Sequence, residues 1–208
     1  MPTFANDLVY EFVTLLVILD PFATIPIFLG VTAGLARRQS LKIAAYALGV
    51  SFLVLLFFIL LGQHLLDALK IPMATFQLAG SIVLLMFALK MIMGQLREDA
   101  AAIPADATPL ERAVYPLAFP GIAGTGAMLT VVMLTDNHTR NFAEQAITTG
   151  ILLICMLLFF GVFAAASLIY RVVGRPGVEV ITRVFGLILA SLAVKNLITA
   201  IKLSFGLT

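Results

Sequence analysis

The stretch LLVILDPFATIPIFLG, residues 15–30, sets Asp20, Pro21 and Pro26 in the middle of an otherwise apolar run. A second stretch, YPLAFPGIAGTGAMLTVVML at 115–134, is interrupted in the same way by Pro120, Gly121, Gly124 and Gly126. A proline inside a helix removes a backbone hydrogen bond and clashes with the preceding turn, at a cost of about 3 kcal/mol. Two such breaks, one in each half of the chain, need a reason. They decide the reading of everything around them.

Of the 208 residues, 62% are hydrophobic and 12% charged, where a soluble domain has about 45–50% apolar and about 25% charged residues. A water-soluble globular fold is excluded. A membrane-spanning helix needs about 20 mainly apolar residues, and the runs at 8–33, 41–66, 74–94, 113–135, 145–170 and 180–202 supply six. Most are apolar all round, as lipid-embedded helices are, and lack the alternation of a membrane β-barrel. The expected fold is an all-α membrane protein with six transmembrane helices in one transmembrane domain, 1–208. The polar connector LREDAAAIPADATPLER, 96–112, separates a first three-helix repeat, 1–95, from a second, 113–208. Because three is odd, duplicated halves would lie upside down relative to each other, as in many secondary transporters. Helices one and four, the discontinuous ones, then correspond. So do Gln77-x-x-Gly80-x-Ile82 and Arg183-x-x-Gly186-x-Ile188, each near the start of its span.

With the N-terminus outside, nine of the 13 basic residues fall on cytoplasmic connectors, including Arg37, Arg38, Arg112 and Arg171, and four fall outside. The positive-inside rule therefore predicts both termini outside and the 96–112 linker in the cytoplasm. The opening MPTFANDLVYEF has no basic start and is read as retained rather than as a cleaved signal peptide. A net charge of +2 spread between apolar runs argues against nucleic acid as a partner. Cys155, alone in an apolar run, excludes an intrachain disulfide. Nothing in the sequence sets an oligomeric state.

Asp20 carries the most information. At a helix centre an aspartate costs about 2.5–3.5 kcal/mol on insertion scales, so it faces protein or water. It either lies beside a substrate or ion path or caps a half-helix beginning at Pro21, and the two roles are compatible. A half-helix starting inside the membrane offers free N–H groups and a positive dipole end, while the preceding one ends in free carbonyls. Irregular backbone at that depth is tolerated where it lines a cavity. Gly121, Gly124 and Gly126 either let backbone approach a ligand there or serve close helix packing. Thr24 and Thr125 offer hydroxyls, and Gln77 and Arg183 are candidate liners at equivalent repeat positions. No catalytic constellation is visible: His64 and His138 lack HExxH spacing, no serine lies in GxSxG, and no Walker loop is present. Neither a metal site nor an enzyme is expected.

DPFATIPIFLGVTAG at 20–34, FQLAGSIVLLMFALKMIMG at 76–94, PLAFPGIAGTGAM at 116–128 and VEVITRVFGLILASLAVKNLITAIK at 178–202 together resemble the MarC family of prokaryotic inner-membrane proteins, also called the neutral amino acid transporter family. The resemblance runs nearly end to end. It implies six helices in two inverted repeats around a central site for small neutral amino acids such as glycine and alanine, with no cofactor but a coupling H⁺ or Na⁺. Carried onto this chain, the site comprises Asp20, Pro21, Thr24 and Pro26 from the first break and Pro120, Gly121, Ala123, Gly124, Thr125 and Gly126 from the second. Two positions depart from the family pattern. Ala23 stands where relatives usually have glycine, and Thr125 stands where they usually have proline between two glycines. The expected function is secondary transport of a small neutral amino acid across the cytoplasmic membrane by alternating access. The alternatives are export of another small metabolite, a passive channel, and a membrane scaffold without transport.

Overall fold

Inside a bilayer a segment must satisfy its own backbone polar groups, and long apolar runs do so as helices. The computed structural model describes residues 2–21, 24–95, 104, 106–135 and 142–206, and all regular structure among them is helical. Helices α1 (Pro2–Leu19) and α2 (Ile25–Val31) flank the first break. Two uninterrupted helices follow, α3 (Arg37–Ala68) and α4 (Met73–Met93). A single turn, α5 (Pro109–Arg112), leads through a widely wound segment, Ala113–Ile122, into α6 (Thr125–Leu134). The remaining stretch, Phe142–Phe205, leaves helical geometry at Gly174, whose φ of 69° belongs to the left-handed region that glycine enters without steric cost. Its apolar parts are α7 (Phe142–Leu168) and α8 (Pro176–Phe205).

Helices α3, α4, α7 and α8 are each long and apolar enough to cross a membrane, and the segment from α5 to α6, bent by 58°, makes a fifth crossing if counted as one span. The run expected to span at 8–33 divides into α1, whose apolar part is Leu8–Leu19, and the seven-residue α2. Both pack along α7. Glu11 of α1 meets Thr148, and Phe28 of α2 stacks on Phe163 with ring centroids 4.4 Å apart. Those contacts are fifteen residues, or about 22 Å, apart on α7. The chain thus keeps its direction through the first break.

The interior is aliphatic and aromatic, with Leu15, Leu19, Ile27, Ile43, Leu55, Ile59, Leu117, Phe159 and Phe163 almost fully buried. Large apolar side chains such as Leu53, Phe57, Leu157 and Leu187 are exposed, as a lipid-facing surface requires. Small residues bring helices close: a Cβ on Gly62 of α3 would stand 2.5 Å from Val132 of α6, and one on Gly186 of α8 would stand 2.9 Å from Met91 of α4. Thr108 and Glu111 close the start of α5 reciprocally. The Glu111 carboxylate accepts the Thr108 N–H at 2.7 Å, and the Thr108 hydroxyl accepts the Glu111 N–H at 3.2 Å. The linker expected at 96–112 therefore ends in a capped helical turn. Its residues 96–103 and 105 lie outside the described residues, as do Ala23, His138 and Arg140.

Candidate functional site

At the first break α1 ends at Leu19 and Asp20 turns into the left-handed region, with φ 47°. Aspartate tolerates this conformation better than most residues because its short polar side chain can bond locally. The Asp20 N–H still donates to the Leu16 carbonyl at 3.1 Å. The carbonyls released by the turn are met by the Thr24 hydroxyl, which donates to Pro21 O at 3.1 Å and lies 3.5 Å from Asp20 O. Two expectations are corrected here. The second half-helix starts at Ile25 rather than Pro21, with Thr24 in the cap position, so Asp20 closes α1 instead of opening α2. Pro26 does not interrupt a helix either; it lies in the first turn of α2, where its missing N–H is not needed.

The second break is longer and starts earlier than Pro120. Tyr115 and Phe119 are extended, with φ/ψ of −128°/133° and −128°/128°, as the residue before a proline prefers. The Tyr115–Pro116 and Phe119–Pro120 peptide bonds are both cis. The wound segment closes with Ala123 N–H donating to Ala118 O at 2.8 Å. Gly124, in extended conformation, is then the cap of α6. Of the two roles open to the glycines, packing accounts for them first. A Cβ on Gly124 would lie 2.6 Å from the Pro120 carbonyl oxygen, and one on Gly126 would lie 3.1 Å from Leu84 of α4. The Thr125 hydroxyl donates to Gly80 O of α4 at 3.1 Å and so anchors the start of α6.

The two breaks face each other across a cavity of about 20 Å³. Asp20 and Thr24 line it from the first break, and Pro120, Gly121, Gly124 and Gly126 line it from the second. Leu84 and Phe87 of α4 and Leu189 of α8 form an apolar wall. Asp20 is 7% exposed and Thr24 2%. The end of α1 with the Asp20 carboxylate makes a negative pole. The start of α6, whose first-turn N–H groups have no helical acceptor, makes a positive one. Of the other sequence-predicted residues, Pro21, Pro26, Ala123 and Thr125 belong to the breaks without lining the cavity. Gln77 is buried elsewhere, its amide donating to Asn196 O of α8 at 3.4 Å, and Arg183 is exposed.

Sequence reading missed two polar features. Arg112 joins the breaks on the side away from the termini: its guanidinium donates to Val31 O at the end of α2 (3.1 Å) and to Ala107 O and Pro104 O (both 3.2 Å). Glu11, seen in the sequence only as part of an acidic start, is buried against Thr148. Nearby, Gln145 donates to Thr135 O at 3.5 Å. The available signal was the helical spacing of Glu11, Leu15 and Leu19 on one face, which places a carboxylate in line with the core.

Residues 5–205 match the family described as MarC family integral membrane proteins. A UPF0056 membrane protein of Aquifex aeolicus is 28% identical over 97% of this chain and 95% of its own length. The UPF0056 inner membrane protein YhgN of Escherichia coli is 28% identical over 95% of this chain and 98% of its own length. A UPF0056 membrane protein of Pyrococcus abyssi reaches 33% identity over 94% of each chain. No solved structure gives a significant match.

Proposed function

The chain belongs to the MarC family of integral membrane proteins, and from that premise we propose that it is a secondary transporter of small neutral amino acids, of the glycine and alanine class. It works in the cytoplasmic membrane of a prokaryote, with six spans in two inverted three-helix repeats and both termini outside. The observation that carries this reading is the shared cavity: Asp20 at the end of α1 and the first residues of α6 line it together, beside an apolar wall. A zwitterion with a small side chain has the matching chemistry. Its ammonium meets Asp20, its carboxylate meets the first turn of α6, and its side chain meets Leu84, Phe87 and Leu189.

A cavity of about 20 Å³ has room for roughly one water. A bound amino acid therefore requires the two broken segments to part, and alternating access is the form of motion that opens such a site to one side at a time. Seven-residue α2, with Pro26 in its first turn, contributes fewer donors than α6, so the carboxylate end of the substrate is assigned to α6 alone. Coupling to H⁺ or Na⁺ supplies the driving force. The test is uptake of labelled glycine and alanine into proteoliposomes under imposed H⁺ or Na⁺ gradients, with unlabelled amino acids as competitors. Saturable, competed uptake that follows one gradient is the expected result. Absence of both uptake and efflux from correctly folded protein overturns the assignment.

A further inference from the structure

Glu11 lies one turn inside the apolar part of α1 and is 3% exposed. Its Oε2 accepts a hydrogen bond from Thr148 Oγ1 at 2.9 Å, across 137 residues of sequence. The same hydroxyl oxygen stands 3.2 Å from the main-chain carbonyl of Glu144. A hydroxyl has one hydrogen and two lone pairs, so these contacts define two arrangements. With Glu11 ionised, the hydroxyl hydrogen points at the carboxylate. With Glu11 protonated, the carboxylic O–H donates to Thr148 Oγ1, and the hydroxyl hydrogen turns to Glu144 O. The Glu11–Thr148 contact stays hydrogen-bonded in both, and at Thr148 the change is a rotation of the hydroxyl about one C–O bond. Leaving a buried polar group unpaired is costly, so a pair satisfied in either state is suited to taking up and releasing a proton.

We propose that Glu11 and Thr148 form a reversible proton site, separate from the cavity at Asp20, through which proton binding is coupled to transport. The inference rests on the transport reading above. The surroundings suit a proton rather than a metal ion, since no group of three His, Cys, Asp or Glu side chains that could hold a metal occurs among the described residues. Among the described residues, titratable groups on neighbouring elements are few. Helix α6 has none, and α7 carries Glu144 and, seven residues beyond Thr148, Cys155. The nearby end of α3 bears His64 and Asp67, both exposed, and Glu179, Arg183, Lys195 and Lys202 of α8 are exposed as well. On α1, Asp7 stands one turn before Glu11 in the helix, Tyr10 is exposed, and Asp20 lies nine residues on, about 13 Å along the axis. That shared helix is the link to the cavity: α1 is held on α7 by the Glu11 contact and ends in Asp20.

The test compares wild type, Glu11→Gln, Thr148→Ser and Thr148→Val in proteoliposomes loaded with labelled glycine or alanine. A gradient of one pH unit supports up to about tenfold accumulation by a one-proton carrier. Wild type and Thr148→Ser are expected to approach that ratio. Glu11→Gln, which still accepts from Thr148, is expected to equilibrate the amino acid at a ratio of about one while retaining exchange. Thr148→Val is expected to shift the pH profile of uptake. Proton-driven accumulation by Glu11→Gln equal to wild type overturns the proposal, as does accumulation driven by Na⁺ alone. If wild type moves neither amino acid, the transport reading fails on its own account, and infrared difference spectra of the reconstituted protein decide the site. A carboxylic C=O band that appears on acidification and is missing in Glu11→Gln supports it, and identical spectra overturn it. If Glu11→Gln does not fold, a displacement of that band in Thr148→Val supports the site and an unmoved band overturns it.

Discussion

Five residues, 20–24, separate the two halves at the first break and keep a carboxylate there; the second break takes ten, Tyr115 to Gly124 inclusive, and none of them is charged. The first break is held by side chains, with Asp20 in the left-handed region and the Thr24 hydroxyl on the freed carbonyls. The second is held largely by its own backbone and by the absence of side chains, with Gly124 wedged against the Pro120 carbonyl and, among the described residues, only the Ser51 hydroxyl of α3 reaching Ala118 O, at 3.5 Å. The difference separates two jobs that a membrane-embedded site must combine. One segment brings the charge, and the other brings a helix start and the tight geometry that aims it.

Replacing Asp20 gives the largest expected effect. Asp20→Asn removes a charged acceptor worth about 2–3 kcal/mol and should weaken apparent substrate affinity roughly 30-fold or more in proteoliposome uptake. Asp20→Gly fits the same left-handed backbone without its carboxylate and should lose uptake equally. Wild-type uptake by Asp20→Asn would leave the first break a purely structural role and the start of α6 as the site's polar end. Next comes Gly124→Ala, whose methyl meets a backbone oxygen that cannot rotate away. A stability loss of about 1–3 kcal/mol is expected, read as earlier aggregation on heating in detergent.

Smaller effects sharpen the contrast. Thr24→Val keeps the shape and removes the hydroxyl, so about 1 kcal/mol of stability should go, together with some uptake. Gly126→Ala meets the movable end of Leu84 rather than backbone, and should cost less than Gly124→Ala in the same heating assay. Equal losses at the two glycines would show that the wound segment gains nothing special from close backbone contact.

Both breaks were legible in the sequence because proline withholds an N–H that a membrane helix needs, and clustered glycines beside it weaken the same turn. The helices α3, α4, α7 and α8 were legible for the same reason that hydropathy works in lipid: length and composition leave one answer. Finer detail was not. That Asp20 ends one helix rather than starting the next depends on a single backbone rotation, which an Asp-Pro pair permits either way. The early start of the second break at Pro116 was written in the repeated aromatic-proline pairs Tyr115-Pro116 and Phe119-Pro120, but read one at a time they do not add up to a ten-residue segment. Thr125 has a hydroxyl free for a ligand as far as its neighbours in sequence show, and in the fold that hydroxyl is spent on Gly80 O; Gln77 likewise bonds the backbone of α8. Side chains that serve long-range contacts carry no local mark of doing so, and the pairing of Glu11 with Thr148 is the clearest case.

The stack of Phe28 on Phe163 has a consequence for how the protein is made. Helix α2 has seven residues and α6 has ten, about 10 Å and 15 Å of helix against a hydrocarbon core of about 30 Å. Neither can be handed to the bilayer by the insertion machinery as a finished span. Helix α2 finds its aromatic partner only when the ribosome has added another 135 residues, so the first break stays unfinished through most of synthesis. The order in which the chain emerges is not the order in which it locks. A nascent chain released before α7 would therefore present quality-control proteases with an unpacked half-helix, not a working half of the protein.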